Sequence, residues 1–531
     1  MLRTRQLISS TRSRQLHRRA EAAPGAFCVD DRVSAFLLSF MGKRVRKVQR
    51  MNDRLIANIL SYVMWVEAGF LTLPVFSSLV YRDGCWSAFA LSILLCLAGG
   101  FLLRMIPVKT HRLQSRDGYA AVALAWVILA VFGAFPYLFS HTIPRYADAL
   151  FETVSGLTTT GSTILSSVET LPKSILFWRS QTQWMGGMGV LVLFLALMPK
   201  LGDGAVYLMR AESPGPIKSK LVPKLSQTAK ILYGIYLGLT ALETAALRIA
   251  GMSWFDSINH AFTTIATGGF SVRDAGIASY GSPAVVWVII VFTFLAGVNF
   301  ALMFALLCGK WRQVLHNEEL RTYSVIVLVS TALICLNLCL QNGSRLGTSI
   351  TDAVFQVTTV ITTTGYATRD FALWPTFSRC VLVALMYSGG CAGSTAGGMK
   401  VSRLLLLAKS LRRDLQRILH PNRVSVIKID GQVVPERTVT AAHTFQVAYL
   451  FVLIAGALIV SWDDLGFTES LVASLTSVSN VGPGLGQLGP MENFGVLSDL
   501  SKYTLSLVML MGRLELMPLL VLWSPATWRG K

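Results

Sequence analysis

Four stretches decide how this chain folds: Asp148-Ala-Leu-Phe-Glu-Thr-Val-Ser-Gly-Leu-Thr-Thr-Thr-Gly161, Asp256-Ser-Ile-Asn-His-Ala-Phe-Thr-Thr-Ile-Ala-Thr-Gly268-Gly-Phe, Asp352-Ala-Val-Phe-Gln-Val-Thr-Thr-Val-Ile-Thr-Thr-Thr-Gly365 and Glu469-Ser-Leu-Val-Ala-Ser-Leu-Thr-Ser-Val-Ser-Asn-Val-Gly482. Each opens on a carboxylate, continues through about a dozen moderately apolar residues and closes on hydroxyl or amide side chains before Gly. The acid-to-glycine offsets are 13, 12, 13 and 13, and successive glycines lie 107, 97 and 117 residues apart. One Thr-Thr-Thr-Gly is a common way to end a helix. Four at near-constant spacing form an internal repeat.

The surroundings of these segments are apolar. Of 531 residues 53% are hydrophobic and 14% charged, where a soluble domain carries about 25% charged residues. The mean hydropathy is +0.54. Ten long apolar runs stand out, at 58–81, 86–106, 119–140, 176–199, 228–250, 283–308, 322–341, 374–399, 439–461 and 503–524, long enough to be read as membrane spans. The hydrophilic stretches 200–230 and 408–438 are linkers too short for a core of their own. Neither a cleavable signal peptide nor a soluble domain of ordinary size is visible. The cysteines are scattered through apolar runs without CxxC spacing and read as small hydrophobes.

A formal charge of +20 first suggests nucleic acid, but its distribution argues otherwise. If the first 57 residues are cytoplasmic, 37 of the 48 Lys and Arg fall on that side and nine on the other: Arg82, Arg145, Lys173, Arg179, Arg273, Arg345, Arg369, Arg379 and Lys502. The positive-inside rule then puts both termini in the cytoplasm. Basic residues spread over every inner loop, without interleaved aromatics, do not make a nucleic-acid module. The basic N-terminal extension has three open readings: a cytoplasmic extension or early start with Met41 and Met51 as later ones, an amphipathic helix on anionic lipid, or a transit peptide.

A dozen residues cannot span about 30 Å of hydrocarbon as a helix. Each repeated segment is therefore expected to enter and leave by the outer face as a short helix followed by irregular backbone, which a membrane tolerates only where protein buries it or it lines a water-filled path. Glycine there gives torsions closed to other residues, and four such loops around one axis make a carbonyl-lined cation filter. The expected fold is an all-α membrane protein with an N-terminal two-span hairpin and four span-pore-loop-span repeats around one central ion pore. Its parts are the extension 1–57, the hairpin 58–106, and the repeats 119–200, 228–308, 322–407 and 439–526.

With Tyr81-Arg82-Asp83-Gly84, Thr158-Thr-Thr-Gly161-Ser, Ala266-Thr-Gly268-Gly-Phe, Thr362-Thr-Thr-Gly365-Tyr, Asn480-Val-Gly482-Pro-Gly484 and Gly390-Cys-Ala-Gly-Ser-Thr-Ala-Gly-Gly398-Met-Lys400, the chain from about 55 to 526 resembles the TrkH/TrkG-type potassium uptake proteins of the Trk/Ktr/HKT superfamily. The resemblance implies potassium uptake across a bacterial inner (plasma) membrane, with no cofactor and no enzymatic activity. It places the filter at Thr160, Gly161, Thr267, Gly268, Thr364, Gly365, Val481 and Gly482, with K+ held at Thr159, Thr160, Ala266, Thr267, Thr363, Thr364, Asn480 and Val481. Gly269 is an alternative to Gly268, which the hydroxyl register favours. Relatives with Ser at the first filter glycine tend toward sodium, and this chain has Gly at all four, so potassium is favoured over a sodium or weakly selective pathway. The gate it implies is an intramembrane loop including Gly393, Ser394, Thr395, Ala396, Gly397 and Gly398, with Lys400 at the inner boundary and Arg513 facing the pore. For Arg513, pairing with Glu515 or a lipid headgroup is the alternative. A cytosolic nucleotide-binding subunit of the TrkA type and a homodimer are implied partners. A lipid-modifying enzyme built on Asp148, Asp256, Asp352 and His260 is a poor rival, because those acids recur once per repeat rather than converging.

Overall fold

The computed structural model of the chain describes residues 51–108, 114–189, 225–343, 345–422 and 425–525. Most of the extension 1–57 and of the linker 200–230, and the end of the run 176–199, lie outside the described residues. In chain order the helices are α1 (Asp53–Tyr81), α2 (Trp86–Arg104), α3 (Ser115–Gly133), α4 (Phe135–Phe139), α5 (Tyr146–Leu157), α6 (Lys173–Gly187), α7 (Leu225–Ile249), α8 (Trp254–Ile265), α9 (Pro283–Ala296), α10 (Phe300–Leu307), α11 (Trp311–Leu315), α12 (Glu318–Asn342), α13 (Leu346–Ile361), α14 (Thr376–Ser388) and α15 (Val401–Leu419). The two-stranded β1 (Lys428–Ile429) and β2 (Gln432–Val433) follow, then α16 (Glu436–Val460), α17 (Phe467–Ser479), α18 (Asp499–Arg513) and α19 (Met517–Trp523).

Helix starts follow the local sequence. Asn52 accepts from the Leu55 amide, Ser253 from Asp256, Asn317 from Leu320 and Ser498 from Ser501, each satisfying an orphan N–H. Among the described residues five helices are long and apolar enough to cross a membrane, or up to seven if each bent pair counts as one. They leave large apolar side chains such as Phe101, Leu328, Leu340, Phe451 and Leu458 exposed, which water would penalise. The four short helices behave oppositely. α5, α8, α13 and α17, which carry the repeated segments, are buried along most of their length.

The runs that follow the second, third and fourth repeated segments depart from the continuous spans expected of them. The run 283–308 breaks at Gly297–Asn299 with a 99° bend between α9 and α10, and 503–524 turns by 120° between α18 and α19. Asn299 caps the new helix by accepting from Ala301 N, whereas Glu515 and Leu516 take left-handed torsions at the second break. The run 374–399 is helical only to Ser388, and the backbone stays irregular until Val401. Each break has a tertiary partner, described below, that hydropathy does not reveal.

The stretch 408–438 also differs from a bare linker. α15 continues to Leu419, and Asp430-Gly431, both with positive φ, makes a tight hairpin turn of the kind that matches strand twist. Ile427 and Ile429 pack with Leu406, Val439 and Ala442, so this segment borrows the faces of α15 and α16 for a core.

The turn between α1 and α2 holds α6 in place. Asp83 accepts the Ser174 amide at 2.8 Å, the Cys85 amide at 3.2 Å and the Ser78 hydroxyl. Burial raises the Asp83 carboxyl, but these donors outweigh it and hold it below the usual carboxylate value. A depressed pKa stabilises the fold above the unfolded value of about 3.9, and that stability is lost as pH falls through the folded value. The melting temperature of detergent-solubilised protein is therefore expected to drop below about pH 4, and less steeply in Asp83→Asn; equal slopes would contradict this.

Candidate ion pathway

The C-terminal ends of α5, α8, α13 and α17 are built alike. In each, the amide of one residue reaches back five positions: Thr160 to Ser155 O (2.9 Å), Gly268 to Thr263 O (2.8 Å), Thr364 to Thr359 O (2.8 Å) and Val481 to Thr476 O (2.9 Å). The residue before it is left-handed, with φ of 55° at Thr159, 54° at Thr267, 57° at Thr363 and 57° at Asn480. This is a Schellman-type helix end, with threonine in three of the four loops where glycine or asparagine is usual. A β-branched residue there costs about 1–3 kcal/mol and persists only when surrounding structure enforces it.

The backbone therefore fixes the register among the four loops. Thr160, Gly268, Thr364 and Val481 are equivalent, and the glycines that follow with positive φ are Gly161, Gly269, Gly365 and Gly482. The left-handed glycine of the second loop is Gly269, one residue beyond the one selected by matching hydroxyls. With it, every glycine lies thirteen residues after its carboxylate.

A Cβ at Gly161 would fall on the Gly268 carbonyl oxygen, one at Gly269 on Thr364 O, one at Gly365 on Val481 O, and one at Gly482 would lie 2.6 Å from Thr160 O. Each glycine thus faces the equivalent carbonyl of the next loop, and the fourth faces the first. The four strands close a ring. The residues Thr159, Thr160, Ala266, Thr267, Thr363, Thr364, Asn480 and Val481 are fully buried in it. Among the described residues, no hydrogen bond is donated to the carbonyls of Thr159, Thr160, Thr267, Thr363, Thr364, Asn480 or Val481. Buried carbonyls are otherwise almost always paired. A vestibule of about 150 Å³ abuts the ring and is lined by all four glycines together with Ser162, Phe270, Tyr366 and Pro483.

Side chains specific to each loop brace it. Gln183 of α6 donates to Gly268 O at 2.6 Å and accepts from Phe270 N at 3.1 Å. Asn480 Nδ2 donates to Thr160 Oγ1 at 3.0 Å and Met509 O at 3.0 Å, and Ser162 Oγ donates to Gly482 O at 2.9 Å. Glu152 and Arg179 form a buried ion pair at 2.6 Å. Arg179 also donates to Ser271 O and stacks on Phe270, while Glu152 receives Thr163 and the Ile164 amide. Nothing in the repeat pattern pointed to Gln183 or Arg179.

The starting carboxylates do not converge. Asp148 pairs with Lys502 (2.6 Å), Asp256 with Arg273 (3.2 Å) and Asp352 with Arg369 (2.7 Å), whereas Glu469 caps the Gly466 and Gln487 amides. His260 sits between the Tyr366 and Tyr280 hydroxyls.

Beneath the ring lies the irregular backbone 389–400. Gly397 N donates to Thr363 Oγ1 at 2.7 Å, and Thr395 Oγ1 to Ile265 O at 3.0 Å, so this segment touches the ends of two of the short helices. It fills the α9–α10 break, where Cys391 N bonds Gly297 O and Phe300 N bonds Gly393 O. Ser394 closes its own turn on Cys391 O, Lys400 donates to Ala396 O, and Glu319 of α12 receives the Ala392 amide at 2.6 Å. Gly389, Gly393 and Gly398 all have positive φ. Arg513, ending α18, donates to Thr395 O at 2.7 Å and to Gly186 O and Gly187 O at 2.6 and 2.5 Å. A guanidinium on the last carbonyls of α6 complements that helix's negative end. Glu515, one alternative partner for Arg513, pairs with Arg403 at 2.6 Å.

This arrangement has known counterparts. The model of the TrkH family, described as a cation transport protein, matches residues 87–529. The chain belongs to the TrkH family. It is a membrane protein, 41% identical over 489 residues to the Trk system potassium uptake protein TrkH of Escherichia coli K12, covering 90% of this chain and 100% of that one. It is 31% identical over 484 residues to the TrkG protein of the same strain, covering 90% and 99%. The crystal structure of the potassium transporter TrkH from Vibrio parahaemolyticus superposes with a TM-score of 0.80 at 35% identity, covering 90% of this chain and all of that one.

The two candidate glycines of the second loop separate by experiment. A methyl at Gly269 meets backbone, in a torsion L-residues rarely adopt, whereas one at Gly268 first meets the Gln183 side chain. Gly269→Ala is expected to cost about 1–3 kcal/mol more than Gly268→Ala, read as a lower melting temperature and lower yield of folded protein. The reverse order would restore Gly268 as the left-handed position.

Proposed function

We propose that this member of the TrkH family takes up potassium across the plasma membrane, through a filter formed by the four loops that end at Gly161, Gly269, Gly365 and Gly482. The observation that carries the proposal is the ring of buried carbonyls without protein donors. Such oxygens can replace the hydration shell of a monovalent cation, and the names of the relatives supply the ion. K+ is held by the carbonyls of Thr159, Thr160, Thr267, Thr363, Thr364, Asn480 and Val481, with Gly268, in the place of Thr160, turned to Gln183. Ala266 precedes the left-handed Thr267 and is a less direct ligand.

The family's membrane setting, the four buried short helices and the three broken runs support four span-loop-span repeats behind an N-terminal hairpin, with both termini cytoplasmic. Gly393 to Gly398 then lie across the path below the filter, and the Arg513 guanidinium holds them there through Thr395 O while placing a fixed positive charge near the ion's route. Charge in that setting opposes cation passage. Control by a cytosolic nucleotide-binding subunit of the TrkA type, docking on the basic inner segments, and assembly as a homodimer complete the reading. Glycine at all four filter positions favours K+ over the alternative, a sodium or weakly selective pathway.

The test is uptake by a bacterial strain lacking its own potassium systems, in low K+ with competing Na+. Growth rescue by the wild type that Na+ does not suppress supports K+ selectivity. Rescue abolished by equimolar Na+ would favour the alternative. In liposomes at fixed voltage, Arg513→Ala is expected to raise K+ flux by about tenfold, the effect of lowering a barrier by roughly 1.4 kcal/mol through loss of one partly screened charge; unchanged flux would remove Arg513 from the gate.

A further inference from the structure

One side of the ring is held differently from the others. The residues following the four left-handed glycines are Ser162, Phe270, Tyr366 and Pro483, and among them only Tyr366 reaches across with a buried phenol to a neighbouring short helix. Its side chain is 2% exposed. Its hydroxyl bonds Thr263 Oγ1 of α8, lies 3.3 Å from His260 Nδ1 and 3.4 Å from Thr264 Oγ1. Its backbone carbonyl is held by Thr359 Oγ1 at 3.0 Å and Gln356 Nε2 at 3.4 Å. Both ends of Tyr366 are therefore fixed, one to the helix of its own loop and the other to the helix of the second loop.

What the phenol grips matters. The Thr263 carbonyl accepts the amides of both Gly268 and Gly269, so Thr263 is the residue on which the second loop turns. Thr263 Oγ1 in turn contacts the Asn259 and His260 carbonyls, each at 3.1 Å. His260 continues the chain outward, its Nε2 lying 3.1 Å from the Tyr280 hydroxyl. Its ring packs edge-on to Tyr280 and tilted to Tyr366. The sequence Tyr366, Thr263 and His260, then Tyr280, ties the exit of the third strand to the turn of the second.

We infer that this buried hydroxyl and imidazole network sets the separation between the second and third filter strands, making Tyr366, Thr263 and His260 positioning residues for ion selectivity. The inference rests on the filter reading of the four loops. A cage of carbonyls discriminates between ions by how firmly its oxygens keep their spacing and number around the cation. Dispersion packing of the aromatic ring alone leaves that spacing free to relax toward a smaller ion, whereas a hydrogen bond to a buried partner is lost outright on a small displacement.

Tyr366→Phe keeps the ring and deletes the bond. In liposomes under a K+ gradient with Na+ opposed, the K+-to-Na+ permeability ratio is expected to fall about fivefold, the size of one neutral hydrogen bond's net contribution, with the melting temperature little changed. Thr263→Val should act in the same direction, and the double variant should fall short of the sum of the two, because both remove the Tyr366–Thr263 bond. His260→Gln, which retains a donor and an acceptor, should keep more selectivity than His260→Ala. A ratio unchanged in Tyr366→Phe, or effects of the two variants that simply add, would overturn the inference. If Tyr366→Phe fails to fold, Thr263→Val decides alone by the same ratio. The filter reading fails separately: a wild type without K+ preference, or Gly482→Ser leaving the preference intact, refutes the filter, whereas loss of preference in Gly482→Ser with none in Tyr366→Phe refutes only the network.

Discussion

Everything in this structure is arranged around glycine against carbonyl. Four glycines each leave space for an oxygen of the next strand, and the series closes on itself. Any side chain at these points would push the strands apart by the width of a methyl, so the ring tolerates only the smallest residue at its corners. Two residues before these glycines, Thr159, Thr267 and Thr363 carry the torsional strain of this closeness. Their strain is sustained by buried short helices whose own ends are fixed by Gln183, Asn480 and the Glu152–Arg179 pair, and a lone loop in water would not hold it.

The breaks in the long runs follow from the same constraint. Irregular backbone at membrane depth must find partners inside the protein, and the segment 389–400 finds them in the Gly297 carbonyl, the Phe300 amide, Thr363 and Arg513. The α9–α10 bend exists where that segment enters, and Arg513 ends α18 where it can reach both Thr395 and the end of α6. The ring, the 389–400 segment and the bends are one packing solution rather than separate devices.

Much of this is legible in the sequence, because the repeat is written in spacing. The acid-to-glycine interval locates each short helix and its end, and the glycine density at 389–398 marks unusual backbone. The second loop misleads because its hydroxyl, Thr267, looks like the partner of Thr160 and Thr364, although backbone torsion pairs it with Thr159 and Thr363. Equal intervals were the better guide than like side chains. The breaks at 297–299 and 514–516 escape a hydropathy reading, since Val298, Leu514 and Leu516 are as apolar as any span. Arg513 is conspicuous as a charge in an apolar run, but its carbonyl partners lie far away in sequence and belong to the tertiary fold.

Of the nine basic residues that the charge count separates from the other 37, Arg145, Arg179, Arg273, Arg369 and Lys502 each share a carboxylate. Field lines from these cations end on oxygens a few ångströms away instead of reaching into solution. At physiological ionic strength the screening length is about 8 Å, far less than the thickness of a bilayer. At these five positions the chain therefore presents local dipoles rather than bare positive charges.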